Sequence, residues 1–423
     1  MIGGTNKRAG LALGVIAGLA FGGATSASAA DLGGGGFADL EERIAELEAT
    51  TARKGNRKVS LTISGYVNEQ IQWWDDGGES NVYQGTNESD QTRFRFLGKA
   101  KINADWSAGY LIEFGVWGER QGQFSANNDD TSAQNSISLR HSAWYLESAT
   151  FGKLTVGQTS APNDGITELT LAKTITVSKP IQIFTPNSGF AIRRNGSIAG
   201  NLTWGNLSPV GPGEGDRFNI VRYDTPVFAG FTASAAWGED DLWSLALRYA
   251  GEFGGFKLAG GIGYGEYSDT SRSLGHTAGF GGQGDELGLS VSALHVATGL
   301  FATFAYGEAE RFNGEEYENW HIQAGIQRKW VPLGATTLYG EYYEGDFGRA
   351  ISGSISGPGG GAVLGSDVTV WGLSAVQSID AAALDLYVSY RNYEADLFTA
   401  ASPGGVSGVD EFQTVFAGAK ISF

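Results

Sequence analysis

From Lys58 to Phe423 the chain is written in short segments that alternate apolar with polar or small residues at a period of two. Leu61, Ile63, Gly65 and Val67 fall on one face, Thr62, Ser64, Tyr66 and Asn68 on the other, and Ile71 and Trp73 continue the first set. The pattern returns in Tyr110, Ile112, Phe114 and Val116; in Phe231, Ala233, Ala235 and Trp237; and in Leu384, Leu386, Val388 and Tyr390. Successive strand residues point to opposite faces, so each segment is a strand with one apolar and one wetter side. After residue 30 there is no run of roughly 18 apolar residues, so a membrane could be crossed only by strands.

The connections decide what kind of sheet this is. Those at Asn103 to Asp105, Ser148 to Thr150, Gly251 to Gly255, Val331 to Leu333 and Asp380 to Ala381 are short. They alternate with stretches near 75–89, 121–135, 269–283, 311–317, 347–366 and 396–409, most of them long, polar and acidic. A soluble sandwich has short connections at both ends, whereas short turns on one rim and long loops on the other belong to a transmembrane barrel. A generous count gives seventeen strands, but single-chain bacterial barrels have an even number. The segment Ala191 to Trp204 is the weakest, broken by Arg193, Arg194, Asn195 and Gly196. Treating it as loop predicts an all-β, 16-stranded antiparallel transmembrane β-barrel, with a long excursion from Ser160 to about Asp216 between the fifth and sixth strands.

The amino terminus reads differently. Lys7 and Arg8, the apolar run Leu11 to Phe21 and the small residues Ala24 to Ala30 follow the order of a secretory signal peptide, predicting residues 1–30 as signal. Residues 31–57 combine the Gly33 to Gly36 tract with Phe37, Leu40, Ile44, Leu47 and Thr51, spaced as two heptads. So short a helix is marginal alone, so this segment is either a periplasmic coiled coil held by a larger assembly or a solvated amphipathic helix. The barrel domain is then 58–423.

Composition narrows the chemistry. The chain has no cysteine, so neither a disulfide nor a thiolate metal site is available. Its 65 glycines are far above the usual share of about 7%, which suits closely approaching strands. A formal net charge of −17, more negative still without Lys7 and Arg8, argues against nucleic acid.

Several motifs resemble one family. The segment Arg222-Tyr223-Asp224-Thr225-Pro226-Val227-Phe228-Ala229-Gly230-Phe231 looks like the sixth strand, periplasmic turn and seventh strand of Gram-negative general diffusion porins. Arg140 to Leu146 with Phe151 to Gln158 resembles their fourth and fifth strands. Leu61 to Val67 and the closing strand, with Val415, Ala417, Ala419, Ile421 and Phe423 on one face, fit the same family, most like α-proteobacterial members. The aromatic end also resembles terminal segments read by the barrel-assembly machinery. The resemblance implies an outer-membrane homotrimer whose third loop folds into each pore, passing small hydrophilic solutes with no catalysis and no cofactor. Gln158 departs from it, standing where many relatives place a pore-lining arginine.

Alternation supplies candidate pore residues. If Phe94, Phe96, Gly98, Ala100 and Ile102 face lipid, then Arg93, Arg95, Lys99 and Lys101 face the lumen. Each cation would cost ~2–4 kcal/mol against hydrocarbon at the midplane. The resemblance adds Arg140, and Asp164 and Glu168 on the excursion offer the opposing charge. Arg193 and Arg194 complete the candidate constriction, with Lys173 and Lys179 nearby in sequence. Such a field orients dipolar solutes and resists apolar ones.

Acids in the outer stretches, among them Asp75, Asp76, Glu79, Glu308, Glu310, Glu316 and Glu318, have three readings. They attract cations to the mouth, bridge through divalent ions to lipopolysaccharide, or are plain solvated loop. The chain has four histidines, His141, His276, His295 and His321, none in a motif with a nucleophile and an orienting acid. Two alternatives to a general porin stay open. A substrate-specific porin would use aromatics such as Trp117, Trp144 and Tyr66, and a structural anchor would bind the cell wall through the amino-terminal helix. Glu69, in the lipid-facing series, points to a neighbouring subunit covering that face.

Overall fold

A computed structural model describes residues 58–131, 137–180, 183–207, 213–238, 241–268, 284–311, 316–348 and 353–423. The expectations for residues 1–57, a signal segment, a linker, a coiled coil and cell-wall contact, lie outside the described residues.

Among the described residues, sixteen strands form one closed antiparallel barrel. They are β1 (Thr62–Asp75), β2 (Arg93–Lys101), β3 (Trp106–Val116), β4 (Ile137–Ser148), β5 (Gly152–Ser160), β6 (Arg217–Asp224), β7 (Phe231–Gly238) and β8 (Trp243–Phe253). There follow β9 (Phe256–Tyr267), β10 (Gly284–His295), β11 (Leu300–Arg311), β12 (Glu316–Val331), β13 (Gly334–Gly348), β14 (Gly361–Ile379), β15 (Leu384–Thr399) and β16 (Phe412–Ser422). Each pairs with its neighbours in chain order, and β16 returns to β1 from Tyr66↔Ser422 to Asp75↔Gln413. Closure leaves no free edge, which a sheet in lipid requires.

The seam is tight at the short-turn rim. Phe423 N–H donates to the Gly65 carbonyl at 2.9 Å, and Gly65 N–H donates to the Phe423 carbonyl at the same distance. A Cβ on Gly65 would lie 2.4 Å from the Arg93 carbonyl oxygen and 2.9 Å from the Phe423 ring. Only glycine admits the terminal ring here.

Alternation holds around the wall. Ile63, Val67 and Ile71 face out at 50%, 44% and 57% exposure while Asn68, Gln70 and Gln72 on the alternate positions are buried inside. Near the long-loop rim the outward aromatics Trp320, Tyr342 and Trp371 stand side by side, with the Trp320 and Tyr342 rings 5.1 Å apart. Beyond them the strands continue, and the outward residues become acidic. Glu308, Glu310, Glu316 and Glu318 lie on β11 and β12 rather than in a loop mouth, and Glu308 faces Glu318, Asp346 faces Asp367, and Asp367 faces Asp396 across the ladder. Like charges directly opposite are unfavourable in a sheet, so this row marks where the apolar band has ended.

The excursion, residues 161–216, leaves β5 and returns on β6, which pair directly from Ser160↔Arg217 to Lys153↔Asp224. Its weakest predicted strand does form β-structure, but as a separate two-stranded hairpin, Ala191–Arg194 with Ser197–Thr203, that is not part of the barrel sheet. The water-inside expectation fails on one arc. Tyr317, Tyr343, Phe347, Val368, Val370, Tyr393, Leu397 and Phe412 of β12–β16 point inward and are buried with Ile183, Phe184, Phe190, Leu202, Trp204 and Leu207 of the excursion. These strands carry apolar residues on both faces because one meets lipid and the other meets the folded-in chain.

Candidate functional site, a charged wall facing the excursion

Arg93 and Arg95 lie opposite Tyr66 and Ser64, inward residues of β1, so both guanidinium groups enter the lumen. Arg95 also lies opposite Glu113 of β3. At this level β4 carries a bulge: Glu113 pairs with His141 and Phe114 with Leu139, leaving Arg140 as the extra residue. Strict alternation from the inward Ala143 would turn Arg140 toward lipid, and the bulge turns it inward instead. Three guanidinium groups therefore meet on one carboxylate. Glu113 is reached by Arg140 Nε at 2.7 Å, Arg95 Nη2 at 3.0 Å and Arg93 Nη1 at 3.7 Å. Its own exposure is 4%.

A second carboxylate joins from an unexpected place. The short strand Ser80–Thr86 extends the β1 ladder above β2, and between it and β2 residues 87–92 fold inward. Asp90 N–H donates to Asn87 Oδ1 at 3.1 Å, and Asn68 Nδ2 donates to the Asp90 carbonyl at 2.8 Å. The Asp90 carboxylate pairs with Lys420 of β16 at 2.6 Å and Arg93 at 3.3 Å, and accepts the Tyr66 hydroxyl. Charge thus runs continuously along the wall from Lys420 through Asp90, Arg93 and Glu113 to Arg95 and Arg140. The Tyr66 ring lies beneath Arg93 at 5.1 Å and Lys420 at 4.2 Å.

The excursion runs along the other arc. Ser244 of β8 donates its hydroxyl to Asn163 Oδ1 at 2.6 Å, and Asn163 Nδ2 donates to Glu286 of β10 at 2.8 Å. Ser290 of β10 donates to the Ile166 carbonyl at 2.6 Å, Leu171 N–H to Ser292 at 3.0 Å, and Lys173 N–H to Gln327 of β12 at 2.8 Å. Here the wall is floored with glycine. A Cβ on Gly263 would meet Asn163 at 2.9 Å, and one on Gly288 would meet the Gly213 carbonyl oxygen at 1.9 Å. Main chain lies on main chain, as only residues without side chains allow.

Farther along, the excursion is pinned by a buried ion pair. Arg391 Nε reaches Glu341 at 2.7 Å and its Nη2 donates to the Val177 carbonyl at 2.8 Å. Glu341 also accepts the Ser178 hydroxyl and pairs with His321 Nε2 at 3.2 Å. Tyr393 donates to the Ile183 carbonyl at 2.8 Å. The segment then enters the apolar cluster, where Phe190 lies 4.7 Å from Trp74 and 4.8 Å from Phe412, ring to ring.

The sequence-based candidates divide. Arg93, Arg95 and Arg140 converge; Lys99 lies in the same inward column but at the short-turn end, paired with Glu147 at 3.3 Å with both side chains exposed, and Lys101 is exposed beyond it. Asp164 and Glu168 sit on the excursion as expected, paired with Arg217 at 3.5 Å and Lys179 at 2.9 Å. Lys173 reaches Asp385 at 3.2 Å. Arg193 and Arg194 do not join the constriction. Arg193 pairs with Asp76 at 2.8 Å and Glu79 at 3.1 Å, and Arg194 donates to the carbonyls of Ser407, Ser356 and Pro358 at 2.6–2.7 Å. Both lie at the hairpin tip, which carries them into the long loops as braces. Gln158 faces outward, its Nε2 donating to the Leu139 carbonyl at 3.2 Å, because the inward positions of β5 are Thr155 and Thr159. Trp144 likewise faces out, 52% exposed. Sequence reasoning missed Glu113, Asp90 and Lys420. Glu113 alone carried a signal, as an acid inward of Ile112 and Phe114 in a strand opposite the arginine column.

The sequence matches the Gram-negative porin family over residues 12–397. No curated protein matches it. Among solved structures it is similar to an anion-selective porin from Comamonas acidovorans, with TM-score 0.55 and 16% identity over 86% of this chain and 100% of that one. OmpT, an outer membrane protein of Vibrio cholerae, gives 0.52 and 15%, covering 88% and 99% of the two chains. Salmonella typhi OmpF, in complex with daunomycin, gives 0.51 and 13% over the same shares.

Proposed function

The chain belongs to the Gram-negative porin family and forms an outer-membrane diffusion channel, and from that premise we propose a general porin working as a homotrimer. Small hydrophilic solutes and ions pass through passively, between the cationic wall of β2–β4 and the acids of the excursion. The observation that carries this reading is the convergence of Arg93, Arg95 and Arg140 on Glu113 of the inner wall, with Asp164 and Glu168 on the excursion itself. Opposed charges across a narrow lumen orient a dipolar solute and penalise one that must shed water without compensation. Planar-bilayer recording with uncharged solutes of graded size tests it. Ohmic current that small solutes enter and large ones do not is the expected result. Saturation by one solute class would favour a substrate-specific channel, and a silent bilayer would favour an anchor.

The homotrimer rests on the outward face of β1–β6. Glu69 lies there among lipid-facing neighbours, accepting the Thr86 hydroxyl at 3.0 Å and Gln84 Nε2 at 3.3 Å, and Gln158, Ser142 and Asn219 form a polar row on the same side. Polar groups on this side suit a protein neighbour better than acyl chains. Glu69→Lys is expected to abolish oligomers resistant to denaturing detergent, and intact oligomers would contradict the assignment. The remaining outward wall meets lipid. The acidic row on β11–β15 then lies at the level of lipopolysaccharide headgroups, whose phosphates divalent cations join to carboxylates.

A further inference from the structure

Glu113 is the one carboxylate that three pore cations share. The wall from β1 to β4, with β16, carries four cations, Arg93, Arg95, Arg140 and Lys420, and two carboxylates, Asp90 and Glu113, tied together by contacts of 2.6–3.7 Å. Asp90 is committed to Lys420 and Arg93. Arg95 and Arg140 have Glu113 alone as a carboxylate partner among the contacts described. The bulge that brings Arg140 inward lies immediately beside the Glu113–His141 pair, so backbone and side chain build the same cluster.

We propose that Glu113 is the specificity-determining residue of the channel, through a role that rests on the porin reading above. It fixes three guanidinium groups in one fan and cancels part of their charge, so the wall presents an ordered, partly neutralised cationic face. Without it the wall gains one net positive charge, and the arginines lose the acceptor that orders them. Small anions, chloride and carboxylates among them, then pass more readily at the expense of cations. An added unit charge about 6 Å from a passing ion in a water-filled path changes its local concentration by about threefold, with salt screening reducing the effect.

The test is the reversal potential of full-length protein in planar bilayers under a potassium chloride gradient at low ionic strength. Because chloride rises and potassium falls by that factor together, Glu113→Gln is expected to move the chloride-to-potassium permeability ratio by up to about ninefold toward chloride. Glu113→Asp keeps the charge and is expected to stay near wild type. Glu147→Gln removes a carboxylate at the exposed short-turn end and is expected to move the ratio less. Assembly is checked first by heat-modifiable gel mobility. Should Glu113→Gln not assemble, the double variant with Arg95→Gln restores the wall's net charge and is expected to return the wild-type ratio. Equal reversal potentials in conducting wild type and Glu113→Gln overturn the proposal, as does a shift in the double variant as large as that expected for the single one. A wild type that does not conduct overturns the porin reading instead.

Discussion

Arg391→Met removes the cation that pins the middle of the excursion to the wall. Arg391 is fully buried, binds Glu341 at 2.7 Å and the Val177 carbonyl at 2.8 Å, and lies over the Phe416 ring at 5.2 Å. Methionine fills much of the volume but leaves Glu341 buried with only Ser178 and His321 as partners. Breaking a buried pair by removing one partner costs about 3–5 kcal/mol, most of it the stranded charge. Because Val177, Ser178 and Ile183 all dock at this point, the loss falls on the excursion rather than on the ladder of β15. If all of it appears as local release, the open population rises by a factor of about 10² to 10⁴, at 1.36 kcal/mol per tenfold. Hydrogen exchange of purified protein is expected to show residues 174–180 and 183–184 losing protection while β12–β16 keep theirs. Single-channel current is expected to become noisier. Replacing both partners, Arg391→Met with Glu341→Gln, is expected to recover most of the protection, since the stranded charge is gone. Full protection in the single variant, or no recovery in the double one, would refute the assignment of the ion pair as the pin.

Two more perturbations probe close approach. Gly288→Val places a side chain where the Gly213 carbonyl oxygen would be 1.9 Å from the new Cβ, so the return of the excursion must lift and conductance is expected to change, whereas Gly404→Ala, with open space around it, is expected to leave the current unchanged. Gly65→Val meets the Arg93 carbonyl and the Phe423 ring, and is expected to lower the yield of heat-modifiable barrel sharply, since it strikes the β1–β16 seam; a normal yield on gels would count against the seam as described.

What could be read from the chain followed from period. Lipid outside and polar groups inside impose alternation on every stave, so strand count, connection asymmetry and the position of the excursion are all visible without partners in space. Where both faces are apolar, as at Val368, Val370, Trp371 and Leu373 of β14, alternation cannot reveal that one face meets the folded-in chain. The charged wall was half legible. The arginine column of β2 is local, but its counter-charges come from far along the sequence, as with Asp90 and Lys420, 330 residues apart. Arg140 shows the limit most plainly, because a single extra residue in β4 reverses the face that alternation assigns to it. Arg193 and Arg194 fail for the complementary reason: a hairpin of the excursion carries them away from the lumen, and no periodicity encodes where a loop points.

In the proposed channel the column headed by Arg93 and Arg95 lines the conducting path. The absence of native cysteine makes it directly measurable, since any introduced thiol is the only one. Arg95→Cys and its outward neighbour Phe96→Cys are reconstituted in planar bilayers and treated with a charged, membrane-impermeant thiol reagent. Stepwise loss of current in Arg95→Cys, with none in Phe96→Cys, is the expected result. Current unaffected by modification at Arg95→Cys, or blocked equally at both positions, would contradict the assignment of this wall to the pore.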